Sequence, residues 1–400
     1  MPRTGDPGAR VSGTPPVVVV GASTAGVTTA EALRAEGCTA PVLLVGAEAH
    51  APYGRPPLSK QVLTGAWSPE RAEVRSAAAL ADRGITLRTS CPATALDPRN
   101  RRVALGGRWQ DYAELVVATG LTARRLPGAG AGVPVLRTLD DAVRLRARLL
   151  GTRHLVVVGA GILGQEIASA ARALDVAVTL VGRSRELSLG TVGALLAERL
   201  AALHREHAVD LRLGRAVLGV RPVGTRRWCV ELDDGSRLTV DLVVAALGGV
   251  PTTGWLRGSG LDLADGVLCD PAGLAAPHVH AVGDVARWRD ARTGRGRRVE
   301  HQTSAVEQGL AVARRLVHGT PPEPAVPFLW SELHGTRVQA YGWFPPGRSL
   351  EPLPSASGTL LAATAAGRTT GVVGWGAGRA FRVARGLVTA ESPGAPGARR

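Results

Sequence analysis

The sequence predicts an α/β protein with two doubly wound nucleotide-binding domains, the second inserted in the first, and a small C-terminal α+β domain. Three observations predict this fold class. Two distant segments each have the order strand, glycine turn, helix and strand. A glycine- and proline-rich stretch precedes a final β-rich region. The 400 residues also exceed one ordinary core.

The first unit begins with Val17–Val20, a β-branched run too short for a helix. It leads into residues 21–26 (GASTAG) and a predicted helix over residues 27–36. Glycines at the ends of this turn permit a tight bend, and a helix N-terminus offers free N–H groups to a pyrophosphate. A second strand, over residues 41–45, precedes Glu48, which either accepts hydrogen bonds from a ribose hydroxyl or is an ordinary solvated carboxylate. The predicted dinucleotide contacts are Gly21, Ser23, Ala25, Gly26 and Glu48.

The second unit has a predicted strand over residues 154–158, a complete GxGxxG at residues 159–164, a helix over 165–174 and a strand over 176–181. Two Rossmann-like cradles in one chain indicate two dinucleotides, and the economical pair is FAD with a nicotinamide nucleotide. The predicted contacts of the second nucleotide are Gly159, Gly161, Ile162, Leu163 and Gly164.

The end of the second unit bears on the choice of nicotinamide. An NAD site usually has a carboxylate after its second strand, whereas this chain has Gly182, Arg183, Ser184 and Arg185 there. Two guanidinium groups and a hydroxyl suit a 2′-phosphate, so NADPH is favoured over NADH. The alternative is that two nearby arginines reflect only an arginine-rich chain.

Amino-acid composition limits the classes of function that are expected for this chain. The net charge of +15 reflects either arginines spread along the chain or an acidic protein partner, and the spread disfavours nucleic acid. The four cysteines form no CxxC pair, so no zinc site or dithiol redox centre is expected. No apolar run reaches the roughly 18–20 residues of a membrane span. The N-terminus lacks the apolar core of a signal peptide, which predicts a cytoplasmic protein. A monomer and a homodimer are both expected as possible oligomeric states.

Lys60 is the only lysine of the chain, and it ends the segment of residues 52–60, PYGRPPLSK. This segment resembles the PYxRPPLSK signature of the ferredoxin, rubredoxin and putidaredoxin reductase family. The resemblance implies that Arg55 and Lys60 lie against FAD, with Lys60 near the flavin ring, where a cation stabilises the anionic reduced form. Residues 164–166 resemble the family's GxE, whose Glu pairs with that lysine, so Lys60 and Glu166 are the predicted catalytic residues.

Further segments resemble the family in order along the chain, with FAD contacts implied at one or two residues of each. Trp330, implied to lie near the isoalloxazine, has ordinary core packing as its alternative. The sequence departs from the family pattern at Gly54 and Gln302, at the extra Leu329, and in GGVPT (residues 248–252), which lacks the arginine of GxRPxT. The implied contacts are Ala93, Thr119, Gly120, Arg137, Gly283, Asp284, His301, Gln302 and Trp330.

The order of these segments predicts nested domains. Residues 16–126 and 243–320 form the FAD-binding domain, residues 127–242 the NAD(P)-binding domain, and residues 321–391 a C-terminal interface domain, between a disordered lead (1–15) and tail (392–400). The resemblance implies an enzyme that passes electrons from NAD(P)H through FAD to an acidic ferredoxin-like iron–sulfur protein, serving an oxygenase or a cytochrome P450. Two alternatives remain: a flavin oxidoreductase acting directly on a small molecule or oxygen, and a non-enzymatic nucleotide-sensing flavoprotein.

Overall fold

The structure, a computed structural model, describes residues 14–130, 132–187, 189–291, 293–319, 326–344 and 349–388. Most of the predicted lead, the whole predicted tail and the linker around residue 321 lie outside these ranges. Among the described residues, no helix combines the length and the apolar character needed to cross a bilayer.

The first sheet has six strands, and its five neighbouring strands from Val279–Ala281 to Ile85–Arg88 run parallel. Val17–Val20 and its neighbours are buried on both faces, as expected for a parallel sheet covered on both sides. The helices Thr24–Ala35 and Gln302–His318 pack together on one face. The strand order is Leu274–Ala276, Val279–Ala281, Glu114–Val117, Val17–Val20, Val42–Val45 and Ile85–Arg88.

The second sheet has four parallel strands, and all of them come from chain between Glu114–Val117 and Val279–Ala281 of the first sheet. This order makes the second unit an insertion in the first. Its strands, in spatial order, are Val209–Leu213, Ala177–Gly182, His154–Val158 and Leu242–Ala245, and its helices are Leu139–Leu149, Ile162–Arg172 and Gly193–Glu206.

The predicted boundary between residues 242 and 243 falls inside a strand of this second sheet. Leu242–Ala245 pairs with His154–Val158 over its whole length, so the chain leaves the sheet only after Ala245. A short apolar run after a polar turn does not tell which of two neighbouring sheets it joins, because strand pairing is a non-local contact. All the predicted domain limits stay predictions.

Within the described ranges, four smaller sheets complete the two glycine-turn units. One of them packs its residues Val230, Leu232 and Val240 against the second parallel sheet. The sheets comprise Ala93–Asp97, Arg102–Leu105 and Arg108–Asp111; Val217–Val223, Arg227–Leu232 and Arg237–Val240; Leu121–Ala123 with Gly249–Pro251; and Val267–Cys269, Ala286–Arg289 and Gly296–Arg298. Short helical segments are Gln61–Thr64, Ala77–Ala81 and the 3₁₀ turns Pro56–Ser59, Pro69–Ala72, Gly190–Val192, Gly254–Leu256 and Gly283–Val285.

The C-terminal part is a five-stranded antiparallel sheet with one helix, Gly378–Ala384, and the 3₁₀ turn Arg385–Leu387. One face packs on that helix through Phe381, while Leu333 and Val338 join the core of the second unit. The alternation of the strands thus divides their apolar side chains between two cores. The strand order is Phe328–Leu333, Thr336–Gly342, Arg368–Trp375, Thr359–Ala365 and Glu351–Leu353.

Candidate active site

A cavity of about 810 Å³ is lined by residues of both glycine turns, of the segment ending at Lys60 and of the start of Gln302–His318. Its volume is in the range of cofactor sites. Most predicted site residues line it: Gly21, Ser23, Ala25, Glu48, Arg55, Lys60, Ala93, Thr119, Gly120, Arg137, Gly161, Ile162, Leu163, Glu166, Gly283, Asp284, His301 and Gln302.

The first glycine turn brings backbone close to backbone at the edge of this cavity. Gly21 has φ +122°, and a Cβ there would lie 2.2 Å from the carbonyl oxygen of Ala118. A Cβ on Gly26 would lie 1.8 Å from the carbonyl oxygen of Gly21, so helix and strand pack at a distance that only glycine allows. Ser23 replaces the usual middle glycine without blocking the turn, and its hydroxyl donates to the carbonyl of Tyr53.

Glu48 is held in a fixed position by two neighbours. Its Oε2 accepts a hydrogen bond from the hydroxyl of Tyr53 at 2.5 Å, and its Oε1 lies 3.2 Å from Nη2 of Arg55. Tyr53 also accepts a hydrogen bond from the backbone N–H of Leu139. Burial, together with the nearby carboxylate, raises the pKa of Tyr53 to about 12. Tyr53 is therefore a neutral donor that orients Glu48, a role that sequence reasoning did not assign.

Arg137 and Asp284 form a second polar group in the cavity. Their nearest atoms, Nη2 and Oδ2, are 3.4 Å apart, and Nε of Arg137 donates to the carbonyl of Leu121. Burial raises the pKa of the Asp284 carboxyl, while Arg137 acts in the opposite direction. Burial, with Arg297 nearby, lowers the pKa of His301. Burial thus disfavours the charged forms of Asp284 and His301, and the contact with Arg137 offsets part of this effect at Asp284.

The only lysine makes a buried ion pair. Nζ of Lys60 lies 2.7 Å from Oε1 of Glu166, and the two side chains are 9% and 8% exposed. The pair has further partners: Ser59 Oγ donates to Oε2 of Glu166 at 2.5 Å, and Ser331 Oγ donates to Oε1 at 2.7 Å. A buried ion pair is retained only where hydrogen bonds satisfy both partners, as they do here. The structure therefore brings Lys60 and Glu166 together as the resemblance implied.

Lys60 has two more neighbours. Its ammonium donates to the carbonyl of Pro56 at 3.2 Å and lies 5.3 Å from the ring centre of Trp330. Arg337 lies over the same ring at 5.0 Å. Trp330 does not itself line the cavity, so it contacts the site through Lys60.

The second glycine turn repeats the geometry of the first. Gly159 has φ +116°, and a Cβ there would lie 2.2 Å from the carbonyl oxygen of Ala246. A Cβ on Gly164 would lie 1.8 Å from the carbonyl oxygen of Gly159. Around Gly161, in contrast, no atom of the described residues beyond its own turn and helix lies within 4 Å of such a Cβ, and this residue lines the cavity. Gly159 and Gly164 therefore serve packing, and Gly161 leaves room for a ligand.

Besides Trp330, five predicted residues lie outside the cavity lining: Gly26, Gly159, Gly164, Arg183 and Arg185. Gly26 packs behind the first turn, like Gly159 and Gly164 behind the second. Arg183 and Arg185 are exposed just after Ala177–Gly182. Exposure at the end of the second strand leaves both guanidinium groups accessible to a ligand on that edge.

Sequence reasoning missed several residues that shape the site. Gln308 accepts a hydrogen bond from the N–H of Gly283 at 2.8 Å, and the carbonyl of Thr252 accepts from the hydroxyl of Thr119 at 2.9 Å. Both lie within segments that resemble the family, which was the available signal. All four cysteines are free, and of these only Cys91 lines the cavity.

The sequence profile of the family described as pyridine nucleotide-disulphide oxidoreductase matches residues 15–309. The chain belongs to this family. Within the pyridine nucleotide-disulphide oxidoreductases, it is 34% identical over 333 residues to a ferredoxin–NAD(P)(+) reductase of a Sphingomonas species, covering 82% of this chain and 80% of that protein. It is 33% identical to putidaredoxin reductase of Pseudomonas putida, over 82% of this chain and 80% of the relative.

Solved structures of the same family have the same fold. A ferredoxin reductase of Rhodopseudomonas palustris superposes with a TM-score of 0.87 at 30% identity, over 92% of this chain and 93% of that one. Putidaredoxin reductase in its covalent complex with putidaredoxin superposes with a TM-score of 0.85 at 30% identity, over 94% and 93%. The predicted fold class and the predicted kinship with ferredoxin reductases are both confirmed.

Membership of this family implies FAD and a nicotinamide nucleotide, and the residues present fit both. In the two glycine turns, a ligand can approach the backbone closely only where no backbone atom is already packed against the turn, as at Gly161. The Glu48 carboxylate, the Arg137–Asp284 pair and the buried cation Lys60 all line the same cavity. FAD would be held along the first turn, and the nicotinamide nucleotide along the second.

Proposed function

We propose that this protein is an FAD-dependent NAD(P)H reductase that passes electrons to a ferredoxin-like iron–sulfur protein serving an oxygenase or a cytochrome P450. The relatives named ferredoxin–NAD(P)(+) reductase and putidaredoxin reductase support this function. The single observation that carries it is the buried pair of Lys60 and Glu166, which joins the two glycine-turn units within one cavity.

The proposed role of this pair follows from its chemistry. Bound FAD would accept a hydride from the nicotinamide and release electrons one at a time to the iron–sulfur partner. A buried ammonium at this site stabilises negative charge that develops beside it, because water is excluded. Glu166 holds that ammonium in place through the 2.7 Å ion pair, so the pair carries little net charge before a ligand binds. Lys60 and Glu166 are thus the proposed catalytic residues.

The remaining predicted residues have proposed binding roles. Gly21, Ser23 and Ala25 would bind the pyrophosphate of FAD, and Glu48, oriented by Tyr53, would accept from a ribose hydroxyl. Arg55, Arg137 and Asp284, with the start of Gln302–His318, would hold the rest of FAD. Contacts with FAD are also proposed for Ala93, Thr119, Gly120, Gly283, His301 and Gln302.

The proposed nicotinamide is NADPH in preference to NADH. Arg183 and Arg185 are exposed after the strand Ala177–Gly182, where an NAD site would have a carboxylate. A guanidinium pairs well with a phosphate through charge-assisted hydrogen bonds.

This preference predicts the behaviour of Arg183→Ala. The variant should lower the ratio of flavin reduction efficiency with NADPH to that with NADH by about tenfold, because one hydrogen bond to a charged group is lost. Anaerobic reduction rates with both nucleotides measure the ratio. Arg212→Ala is the control. Arg212 pairs with Asp210 within the strand Val209–Leu213, which lies beside Ala177–Gly182. An unchanged ratio in Arg183→Ala, or a wild-type preference for NADH, would refute the assignment.

The proposed partner is acidic. The net charge of +15 would attract and orient a negatively charged protein. Electron transfer to such a partner should therefore slow as salt is raised.

The decisive experiment is anaerobic stopped-flow reduction of the FAD-loaded protein by NADPH and by NADH, followed by mixing with oxidised ferredoxin. We expect rapid loss of flavin absorbance and then rapid reduction of ferredoxin. Flavin reduction without transfer to ferredoxin would contradict the proposed partner class. No flavin reduction by either nucleotide would overturn the reductase function.

A further inference from the structure

Glu166 is the point at which three parts of the chain meet. The carboxylate belongs to the helix Ile162–Arg172 of the second unit, and it accepts from Ser59 and Lys60 of the first unit. Its third donor, Ser331, lies in the strand Phe328–Leu333 of the C-terminal sheet. The C-terminal sheet therefore reaches the ion pair directly, through one hydroxyl.

The three donors are divided between the two carboxylate oxygens of Glu166. Oε1 accepts from Lys60 at 2.7 Å and from Ser331 at 2.7 Å, while Oε2 accepts from Ser59 at 2.5 Å. Ser331 is fully buried and Ser59 is 3% exposed, so bulk water does not compete for these positions. An ionised carboxylate accepts about four hydrogen bonds, and here three protein donors fix its plane.

Lys60 has an alternative acceptor, which makes the plane of the carboxylate matter. Its ammonium also donates to the carbonyl of Pro56 at 3.2 Å. If the carboxylate rotates away, the ammonium loses its stronger partner and can shift towards this carbonyl. Its position at the cavity therefore depends on what holds Glu166.

We propose that Ser331, together with Ser59, is a positioning residue that fixes the Glu166 carboxylate and through it the Lys60 ammonium at the cavity. This inference rests on the proposed function of the pair. It makes the C-terminal sheet part of the flavin reduction site, beyond any role in contacting a protein partner.

The chain offers a matched control three residues along the same helix. The hydroxyl of Ser169 accepts a hydrogen bond from the backbone N–H of His334 at 2.7 Å. This contact also joins the helix to the C-terminal sheet, but it does not involve Glu166. Ser169→Ala therefore removes a comparable contact between the units and leaves the donors of the carboxylate intact.

The test compares Ser331→Ala, Ser59→Ala and Ser169→Ala by two measurements. Anaerobic reduction by NADPH should slow about tenfold in the first two variants, at nearly unchanged KM, because each loses a hydrogen bond to a charged group. The midpoint potential of the bound flavin, from titration with dithionite, should become more negative in the same two variants. Ser169→Ala should match the wild type in both, and Ser331→Thr, which keeps the hydroxyl, should restore the wild-type values.

A double-mutant cycle separates positioning from packing. In a Glu166→Gln background, Ser331→Ala should cause no further slowing, since its effect passes through the carboxylate. Additive effects, or equal losses in Ser331→Ala and Ser169→Ala, would overturn the inference. Because the potential is measured without a nicotinamide, it tests the inference even if the proposed NAD(P)H reductase function fails.

Discussion

At the scale of single residues, the chain uses lysine once, where the size of the cation matters. The ammonium of Lys60 fits between a carboxylate oxygen, a backbone carbonyl and an aromatic face. The planar guanidinium of arginine is larger and presents its donors in a fixed fork, so it would not fill the same position. An arginine-rich chain has retained a lysine where a compact charge is enclosed.

Replacing Lys60 should affect chemistry more than binding. We expect Lys60→Ala to slow flavin reduction about 100-fold, as for the loss of one preorganised electrostatic partner, while FAD retention through gel filtration changes little. Stopped-flow absorbance measures the rate. The control is Arg337→Ala, which removes the other cation over Trp330 without touching Glu166. Equal reduction rates in Lys60→Ala and wild type would remove Lys60 from the proposed mechanism.

Only part of this site could be predicted residue by residue. The partnership of Lys60 with Glu166 follows from resemblance to a family signature, and the structure confirms that they are in contact. The donors Ser59 and Ser331 lie 107 and 165 residues from Glu166, and no local pattern encodes such contacts. The contact of Tyr53 with Glu48 was also missed, because it depends on the conformation of the turn between them.

At the scale of elements, the packed Gly164 and the unpacked Gly161 of the second glycine turn should respond differently to replacement by alanine. Gly164→Ala forces a Cβ to 1.8 Å from a backbone oxygen, whereas Gly161→Ala meets no atom within 4 Å. We expect Gly164→Ala to lower the thermal midpoint by several degrees, since strain of about 1–3 kcal/mol is typical of overpacking. Gly161→Ala should keep its midpoint and raise KM for the nicotinamide.

Thermal unfolding followed by circular dichroism, together with flavin reduction at varied nucleotide concentration, measures both effects. A normal KM in Gly161→Ala would show that the open side of this turn is not where the nucleotide binds. A stable Gly164→Ala would contradict the close approach of helix and strand.

Helix boundaries were less predictable than helix existence. The predicted helices over residues 27–36 and 165–174 are observed as Thr24–Ala35 and Ile162–Arg172, each starting three residues earlier. The last residues of a glycine turn carry no amphipathic pattern, yet they form the first helical turn. Residues of that first helical turn, Thr24 and Ala25 in one helix and Ile162 and Leu163 in the other, line the cavity. A helix N-terminus has free N–H groups, which suit a phosphate.

At the scale of the whole molecule, the nested order of the two parallel sheets could be predicted because segments that resemble the family's FAD-binding sequences occur on both sides of the second glycine turn. The small antiparallel sheets, such as Val217–Val223 with Arg227–Leu232, were not predicted. These two strands do not alternate regularly in burial, so their pairing depends on neighbours that sequence patterns do not specify.

The junction between the second unit and the C-terminal sheet predicts acid sensitivity. Nε2 of His334 lies 3.0 Å from Nδ1 of His204, and the ring of His207 stacks on His334. Burial, then the neighbouring His207, lowers the pKa of His204 to about 4. Burial, with the other histidines and Arg172, lowers that of His334 to about 3. Both pKa values lie below the ordinary 6.5, so the stability linked to the neutral rings is complete above pH 6.5. It is lost as the pH falls through about 4 for His204 and about 3 for His334.

We therefore expect the free energy of unfolding to fall by about 1.4 kcal/mol per pH unit for each proton taken up on unfolding between pH 6.5 and 4. Urea unfolding at a series of pH values measures the slope. His204→Leu should make it shallower, because one titrating group is gone. An identical slope in that variant would show that acid acts elsewhere.

A chain with a single lysine also has a single side-chain amine. Reductive methylation with ¹³C-formaldehyde would label Lys60 and the α-amino group alone, and the side-chain signal in an NMR spectrum would report on one buried position. Since this side chain is 9% exposed, its rate of labelling measures how often the two glycine-turn units and the C-terminal sheet separate. The composition of the chain thus provides a built-in probe of opening at the place where the three parts meet.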